Sequence, residues 1–175
     1  LKQTIAYIKD PPENKSVVGR PSLYWQVMPN DYILFSDTSE YEIKIVDPDG
    51  SLIKKISRKY VPIGYTDEEK VKRKKKQPPG RPIEFKKHKP AISWLLLSDQ
   101  GYLLVRTLEN PENDARRYHD IFDPQGRYLA KILLDGTLPR LWMQDKLYYI
   151  EEDDEGFPVV KRYKIKNWDK IKVEI

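Results

Sequence analysis

The sequence contains no cysteine, which excludes disulfides, cysteine nucleophiles and thiolate metal sites. It has only two histidines, His88 and His119, and they are scattered without the spacing of metal ligands. No apolar run approaches the ~18–20 residues that a membrane-spanning helix needs. The chain begins at Leu1 with neither an initiator Met nor a signal-peptide apolar region, so we expect a preceding segment to have been removed.

Aromatic and charged residues are plentiful. The 175 residues include 12 Tyr, 4 Trp and 4 Phe, and most of them stand in short apolar runs that favour strands over helices. A hydrophobic content of 39% with 34% charged residues describes a folded, soluble globular protein rather than a disordered chain. The length is sufficient for one domain with its own core.

A short phrase occurs twice in the sequence. Asp47-Pro-Asp-Gly50 is repeated, with one substitution, as Asp123-Pro-Gln-Gly126. In both copies a Lys-Ile pair follows, and its Ile stands nine residues after the first Asp, at Ile56 and at Ile132. Proline cannot donate to a strand ladder, and glycine accepts the positive φ that completes a tight turn. Each copy therefore predicts a hairpin between two strands, and the shared register predicts a repeat protein.

Three repeat units can be drawn, over residues 22–57, 91–134 and 138–175. Each has a tryptophan in its first predicted strand, namely Trp25, Trp94 and Trp142. Residues 3–8 are expected to form the last strand of a preceding unit, and residues 171–175 a closing strand. The pattern predicts an all-β fold of three four-stranded antiparallel sheets, arranged as β-propeller blades.

One segment, residues 60–90, interrupts the repeat. Thr66 and Glu69 have the spacing of a capping box, Lys70–Lys76 would be the helix body, and Pro78-Pro-Gly80 would end it. We expect a short helix followed by an irregular arm. Between Thr66 and Pro90, ten Lys/Arg stand against four Asp/Glu, a local +6, so the other 150 residues sum to −1.

The units resemble those of six-bladed β-propeller proteins related to the NHL and TolB-like groups. The resemblance is carried by Tyr32–Asp37, Ile43–Gly50, Ile121–Gly126 and Leu147–Glu151. It implies that the chain forms half of a six-bladed ring, with the missing blades supplied by an upstream region or by a second copy. It also implies an extracytoplasmic, bacterial setting, but no particular activity, since propellers host enzymes, scaffolds and sensors alike.

Three sets of residues could carry chemistry, and each also has a simpler interpretation. His119 beside Asp120 on a predicted outer strand, or His88 among lysines, could be a base or a metal ligand, but both suit structural or surface positions. The acidic run Glu151–Glu155 could bind calcium, yet it lacks the ligand spacing of a calcium loop and suits a solvated hairpin tip. A third set, of aromatic residues, could bind carbohydrate or pack between sheets. Its members are Trp25, Tyr32, Trp94, Tyr102, Trp142, Tyr148 and Tyr149.

The basic segment is the one local feature that suggests a partner. Its cations are Lys70, Lys72, Arg73, Lys74, Lys75, Lys76, Arg81, Lys86, Lys87 and Lys89. They could neutralise phosphates or an anionic membrane surface, or they could form a solvated loop. Phe85 is almost the only aromatic residue among them, so sequence-specific reading of nucleic-acid bases is not expected.

The leading functional hypothesis is a non-catalytic interaction module that binds a protein or a surface or polymeric ligand beside the basic segment. One alternative is a metal-dependent hydrolase of the lactonase kind, which would need the missing blades. Another is an electrostatic binder of polyanions. No residue is assigned to catalysis, to a cofactor or to a metal ion.

Overall fold

The computed structural model describes residues 4–8, 15–109 and 115–165. Their fold is all-β with one short helix, as the sequence predicts. The elements are β1 (Ser16–Val18), β2 (Tyr24–Val27), β3 (Ile33–Ser36), β4 (Glu42–Val46), β5 (Leu52–Ser57), α1 (Asp67–Lys75), β6 (Ile83–Phe85), β7 (Ile92–Leu97), β8 (Leu103–Thr107), β9 (Arg117–Phe122), β10 (Tyr128–Leu134), β11 (Leu141–Met143), β12 (Lys146–Glu152) and β13 (Pro158–Lys164). The described part of the chain holds no helix with the length and apolar character of a membrane span.

Three antiparallel sheets follow one another along the chain. Sheet 1 has the order β2-β3-β4-β5, sheet 2 the order β7-β8-β9-β10, and sheet 3 the order β11-β12-β13. Sheet 3 therefore shows three strands rather than four among the described residues, and the predicted closing strand at 171–175 lies outside them. The predicted leading strand is wrong where it can be checked, because residues 4–8 have no strand.

The two copies of the repeated phrase form the same turn. The backbone N–H of Gly50 donates to Asp47 O at 2.9 Å, and that of Gly126 donates to Asp123 O at 2.8 Å. In both, the Asp side chain also accepts a backbone N–H four residues on, at 2.8 Å. Both glycines have positive φ, 82° and 80°. The local chemistry of Asp, Pro and Gly is therefore sufficient to close these hairpins.

Sheets 1 and 2 face each other across one buried apolar cluster. Leu34, Ile43 and Ile56 contribute from sheet 1, while Leu95 and Phe122 contribute from sheet 2. Alternation along each strand explains this arrangement, because every second side chain of a strand points to the same face. The cluster joins the first two repeat units into one folded body.

A second apolar cluster lies between sheets 2 and 3. It is built on Leu104 and Ile121 from sheet 2 and on Trp142, Leu147 and Tyr149 from sheet 3. Sheet 2 thus has an apolar core on each of its faces. The first strands of the three sheets are also neighbours, since β7 contacts both β2 and β11.

The outer faces of sheets 1 and 3 carry exposed apolar side chains. Trp25 and Val27 on β2 are 61% and 57% exposed, while the alternate residue Tyr24 packs against the core. On sheet 3, Met143 and Ile150 are 40% and 50% exposed. Each end sheet therefore has one face in the core and one apolar face without cover from the described residues.

Part of the basic segment forms regular structure that the sequence does not reveal. The arm after α1 is predicted to be irregular, but residues 83–85 form β6, which pairs in parallel with β1 near the start of the chain. Lys15 reinforces the pairing through Glu84 on β6 at 2.5 Å. Parallel pairs join strands that are distant in sequence, so local patterns do not identify the partner.

Candidate functional site

Helix α1 begins where the sequence predicts. The Thr66 hydroxyl accepts the backbone N–H of Glu69 at 3.2 Å, and the Glu69 carboxylate accepts the backbone N–H of Thr66 at 2.9 Å. This is a complete capping box, with acidic residues in the first turn and basic residues in the last. None of the helix residues is buried, so α1 lies on the surface of the protein.

One stripe of α1 faces a cleft between the helix and the end of sheet 2. Glu69, Lys72, Arg73 and Lys76 all line this cleft. Their spacing of three, four and seven residues places them on one side of a helix. The remaining cations of the helix body, at positions 70, 74 and 75, do not line it. The periodicity of α1 thus divides one basic run into cations that line the cleft and cations that do not.

The opposite wall of the cleft comes from sheet 2 and its approach. Arg106 near the end of β8 and Arg117 at the start of β9 lie on this side, with Lys89, Leu108 and Tyr65 completing the wall. The cleft encloses about 560 Å³, within the usual range for ligand sites. Six cations thus converge from three parts of the chain on one concave surface.

Glu69 is the one carboxylate among the described residues that line the cleft, and it is already engaged. It binds the Lys89 ammonium at 2.5 Å, and the Lys89 side chain is only 13% exposed. Partial burial opposes ionisation of Glu69, but the bonds from Lys89 and from the Thr66 backbone hold its pKa below the usual range. Glu69 therefore anchors α1 to the protein body through Lys89 and also feels the charge of Arg73.

Arg106 is held in an unfavourable electrostatic environment. Its Nε atom is buried without a hydrogen-bond partner among the described residues. Burial, followed by the positive charge of Arg117, lowers the pKa of the Arg106 guanidinium. An arginine nevertheless stays protonated at neutral pH. The wall of the cleft opposite α1 therefore holds a charge that the described side chains do not compensate.

The structure separates the ten cations that the sequence suggests for a binding role. Lys72, Arg73, Lys76 and Lys89 line the cleft, and Arg81 lines the groove that adjoins it. Lys70 binds Asp67 at 3.1 Å, and Lys86 binds Glu84 at 3.3 Å. Lys74, Lys75 and Lys87 line neither the cleft nor the groove.

Sequence reasoning misses Arg106 and Arg117, which complete the cleft. Both stand outside the basic segment, in or beside ordinary strand patterns. Alternation predicts which face of sheet 2 Arg106 occupies, but it does not predict that α1 comes to lie over that end of the sheet. No local signal in the sequence identifies either residue.

The histidine–aspartate pair does not form a site. The predicted outer strand is β9, which lies between β8 and β10, and both His119 and Asp120 are fully buried. Adjacent side chains on a strand point to opposite faces. His119 packs edge-on against Trp94, while Asp120 accepts hydrogen bonds from Tyr41 at 2.7 Å and Arg58 at 2.6 Å. The two side chains therefore belong to different interfaces and could not act together on one substrate.

The acidic run and the aromatic set have structural positions. Glu151 and Glu152 belong to β12, and Asp153–Gly156 forms a hairpin turn in which Gly156 N–H donates to Asp153 O at 3.0 Å. The described residues contain no group of three or more acidic or histidine side chains that could hold a metal ion. Trp94, Tyr102 and Trp142 pack between sheets 2 and 3, so the aromatic set does not converge on one surface.

Comparison with known proteins adds no assignment to this geometry. No protein-family profile and no curated protein sequence matches the chain.

Proposed function

We propose that the chain is a non-catalytic binding module that holds an anionic ligand in the cleft between α1 and sheet 2. The observation that carries this proposal is the convergence of six cations on a surface where the one carboxylate among the described residues already binds Lys89. Like charges held together in a concave site create a positive potential that attracts anions. A phosphate or sulfate group in the cleft would relieve the repulsion that the fold imposes.

The arrangement of the helix supports a built site rather than a solvated basic loop. A solvated loop distributes its charges on all sides, whereas α1 turns Lys72, Arg73 and Lys76 toward Arg106 and is fixed in that orientation by Glu69 and Lys89. Preorganised charges lose little conformational entropy on binding. The same anchoring explains why the one carboxylate of the cleft does not oppose an anionic ligand.

A hydrolase function has less support from the described residues. A metal-dependent lactonase-like site would draw carboxylates and histidines into one cluster. Asp120, a fully buried carboxylate, instead forms an ion pair with Arg58 and accepts a hydrogen bond from the Tyr41 hydroxyl. We therefore propose binding rather than catalysis.

We also propose that the three sheets are consecutive blades of a β-propeller of the NHL or TolB-like kind. Support comes from the contact of β7 with both β2 and β11, which would be the innermost strands, and from a parallel bridge between Ser98 and Trp142. The apolar outer faces of sheets 1 and 3 would then pack against further blades, from an upstream region or a second copy. A structure of a closed assembly in which Trp25 stays in solvent would contradict this arrangement.

The binding function is tested with two triple variants of α1 that change the net charge equally. Lys72→Gln/Arg73→Gln/Lys76→Gln removes the cleft-facing cations, and Lys70→Gln/Lys74→Gln/Lys75→Gln removes the others. Glutamine has a helix propensity close to that of lysine, so α1 should persist in both. We expect the first variant to lose affinity for heparin by roughly tenfold to a hundredfold at low salt, since each cation contributes about 1 kcal/mol near an anionic surface.

Elution from a heparin column over a salt gradient measures the difference. The second variant should elute near the unmodified protein. Equal shifts for the two variants would show that only net charge matters, and that the cleft is not the binding site.

A further inference from the structure

A groove of about 500 Å³ adjoins the cleft and follows one edge of β1. Every residue from Lys15 to Arg20 lines this groove, whereas no residue of β6 does. Because alternate side chains of a strand point to opposite faces, a groove lined by consecutive residues runs along the edge of the strand rather than over one face. The other edge of β1 is paired with β6. The groove therefore follows the edge of β1 that β6 leaves uncovered.

The backbone of Val17 is directed toward this groove. The Ser16 N–H donates to Pro82 O at 2.9 Å, on the side of β6. Val18 O accepts the Lys86 N–H at 3.0 Å, on the same side. A parallel strand bonds to one neighbour through alternate residues, so the N–H and C=O of Val17 point away from β6. No described strand pairs with that side of β1, and an uncovered edge is a template for a further strand.

The groove and the cleft meet, but they offer different contacts. Tyr65, Arg73 and Leu108 line both spaces, so a ligand can pass from one into the other. Lys15 in the groove already binds Glu84 at 2.5 Å, so its charge does not select the ligand. The attraction for an anion comes instead from the six cations of the cleft. The groove thus offers backbone hydrogen bonds, and the cleft offers positive charge.

The aromatic ring at the junction does not favour a nucleic acid. Tyr65 meets the edge of Phe85 at 5.6 Å, and the Lys89 ammonium lies 5.5 Å from its centre. A Cβ atom on Gly19 would lie 2.5 Å from the Tyr65 hydroxyl, so the ring also packs closely on the backbone there. Because these neighbours already cover Tyr65, the ring does not form an open platform for stacking a base.

We infer that the ligand is an extended acidic segment of another protein, which adds as a strand to the uncovered edge of β1 and places carboxylate side chains in the cleft. This inference rests on the proposed function and names its partner class. In strand addition, main-chain hydrogen bonds supply affinity and alternate side chains supply specificity. A polypeptide fits both parts of the surface, since it presents N–H and C=O groups to Val17 and acidic side chains to the cations beyond Arg73.

Calorimetric titration of the unmodified protein with a short synthetic peptide of alternating glutamate and threonine tests the inference. Methylation of alternate backbone nitrogens removes the donors from one edge of this peptide and leaves its charge unchanged. Because alternate N–H groups of a strand face the same neighbour, we expect one of the two methylation patterns to weaken binding by about fivefold to tenfold, as for the loss of one or more backbone hydrogen bonds. The other pattern should weaken binding less.

A proline substitution tests the same contact from the side of the protein. Val17→Pro removes the N–H that faces the groove and leaves the β1–β6 hydrogen bonds in place, which is the position in an edge strand that tolerates proline. It should weaken peptide binding by about fivefold and leave heparin binding unchanged. Val17→Ala is the matched control, since it keeps the N–H and should retain peptide binding. Thermal melts establish that both variants are folded, and the methylated peptides decide the question if one is not.

The outcomes separate the two proposals. Equal binding of the methylated and unmethylated peptides, or equal effects of Val17→Pro and Val17→Ala, would overturn strand addition and leave anion binding by the cleft intact. Heparin binding without peptide binding would also overturn the acidic segment as the ligand. Absence of both heparin and peptide binding at low salt would overturn the proposed function itself.

Discussion

His119 is a titratable residue held in an apolar interface. Its Nδ1 lies 2.9 Å from Arg117 O, and its ring meets Trp94 edge-on. Burial is the main reason that the pKa of His119 falls to about 4, and the charge of Arg106 adds to the effect. The folded protein therefore keeps this side chain neutral over a pH range in which the unfolded chain protonates it.

The first prediction is a loss of stability in acid that depends on His119. Because the folded pKa lies below the ordinary value of 6.5, this group's contribution is fully present above pH 6.5 and is lost as the pH falls toward 4. The loss reaches about 3 kcal/mol, from the size of the shift. Urea denaturation across this range should show a shallower pH dependence for His119→Gln than for the unmodified protein, and identical slopes would contradict the assignment.

The second prediction concerns the turn glycines. Gly126 and Gly156 have similar φ angles, 80° and 85°, but a Cβ atom on Gly126 would lie 2.9 Å from Ile56 Cγ1, whereas Gly156 has open space. Gly126→Ala should therefore lose about 1–3 kcal/mol more than Gly156→Ala, because it adds a clash with the core to the same backbone strain. Urea denaturation of both variants gives the difference, and equal losses would show that the contact between sheets is unimportant.

The sequence predicts the turns well because their chemistry is local. Asp, Pro and Gly at fixed offsets determine the hairpin at Asp123 whatever surrounds it. It does not predict that Gly126 lies against Ile56, because that contact depends on how two sheets pack.

At the scale of elements, α1 is held by few interactions. It buries no residue, and Glu69 both completes its capping box and binds Lys89. The sequence predicts the capping box, because Thr66 and Glu69 are three residues apart. It does not predict the bond to Lys89, which joins residues that only the fold brings together. The orientation of the basic stripe depends on that second bond.

The third prediction is that Glu69→Ala loosens α1 without unfolding the sheets. Loss of the cap and of the ion pair should cost the helix about 1–2 kcal/mol, which corresponds to roughly tenfold faster amide exchange over residues 67–75. Glu68→Ala is the matched control, since it removes the same charge from the same turn and Glu68 is exposed. Hydrogen exchange measured by mass spectrometry should be unchanged elsewhere, and equal exchange in the two variants would contradict the anchoring role.

The β1–β6 pair could not be predicted from local sequence patterns. Both strands have three residues, too few for alternation to be recognised. They pair in parallel although sheet 1 and α1 lie between them in sequence. Their effect on the candidate site is direct, because β1 lines the groove that continues from the cleft. A basic segment that looks irregular in sequence therefore becomes one wall of a defined surface.

At the scale of the whole molecule, the repeat predicts three antiparallel sheets in an all-β fold. The structure confirms the all-β fold and adds the two-stranded parallel sheet β1–β6, which the repeat does not predict. The binding surface arises elsewhere, where the segment that interrupts the repeat folds back on sheet 2. Arg106 belongs to the repeat and Arg73 to the interruption, yet both line one cleft. The charges of the segment are evident from composition, but which of them line the cleft depends on the three-dimensional arrangement.

Arg106 gives the most direct test of this account, because it lies outside the basic segment and lines the wall of the cleft opposite α1. Arg106→Gln should weaken heparin binding about fivefold or more at low salt, as expected for removal of one partly desolvated charge contact. Arg162→Gln removes the same charge from exposed β13 and should leave the affinity unchanged, and thermal melts check that both variants are folded. Unchanged affinity in Arg106→Gln, or an equal loss in both variants, would contradict the proposal that the cleft is the binding site. The basic segment would then be a solvated surface without a binding role.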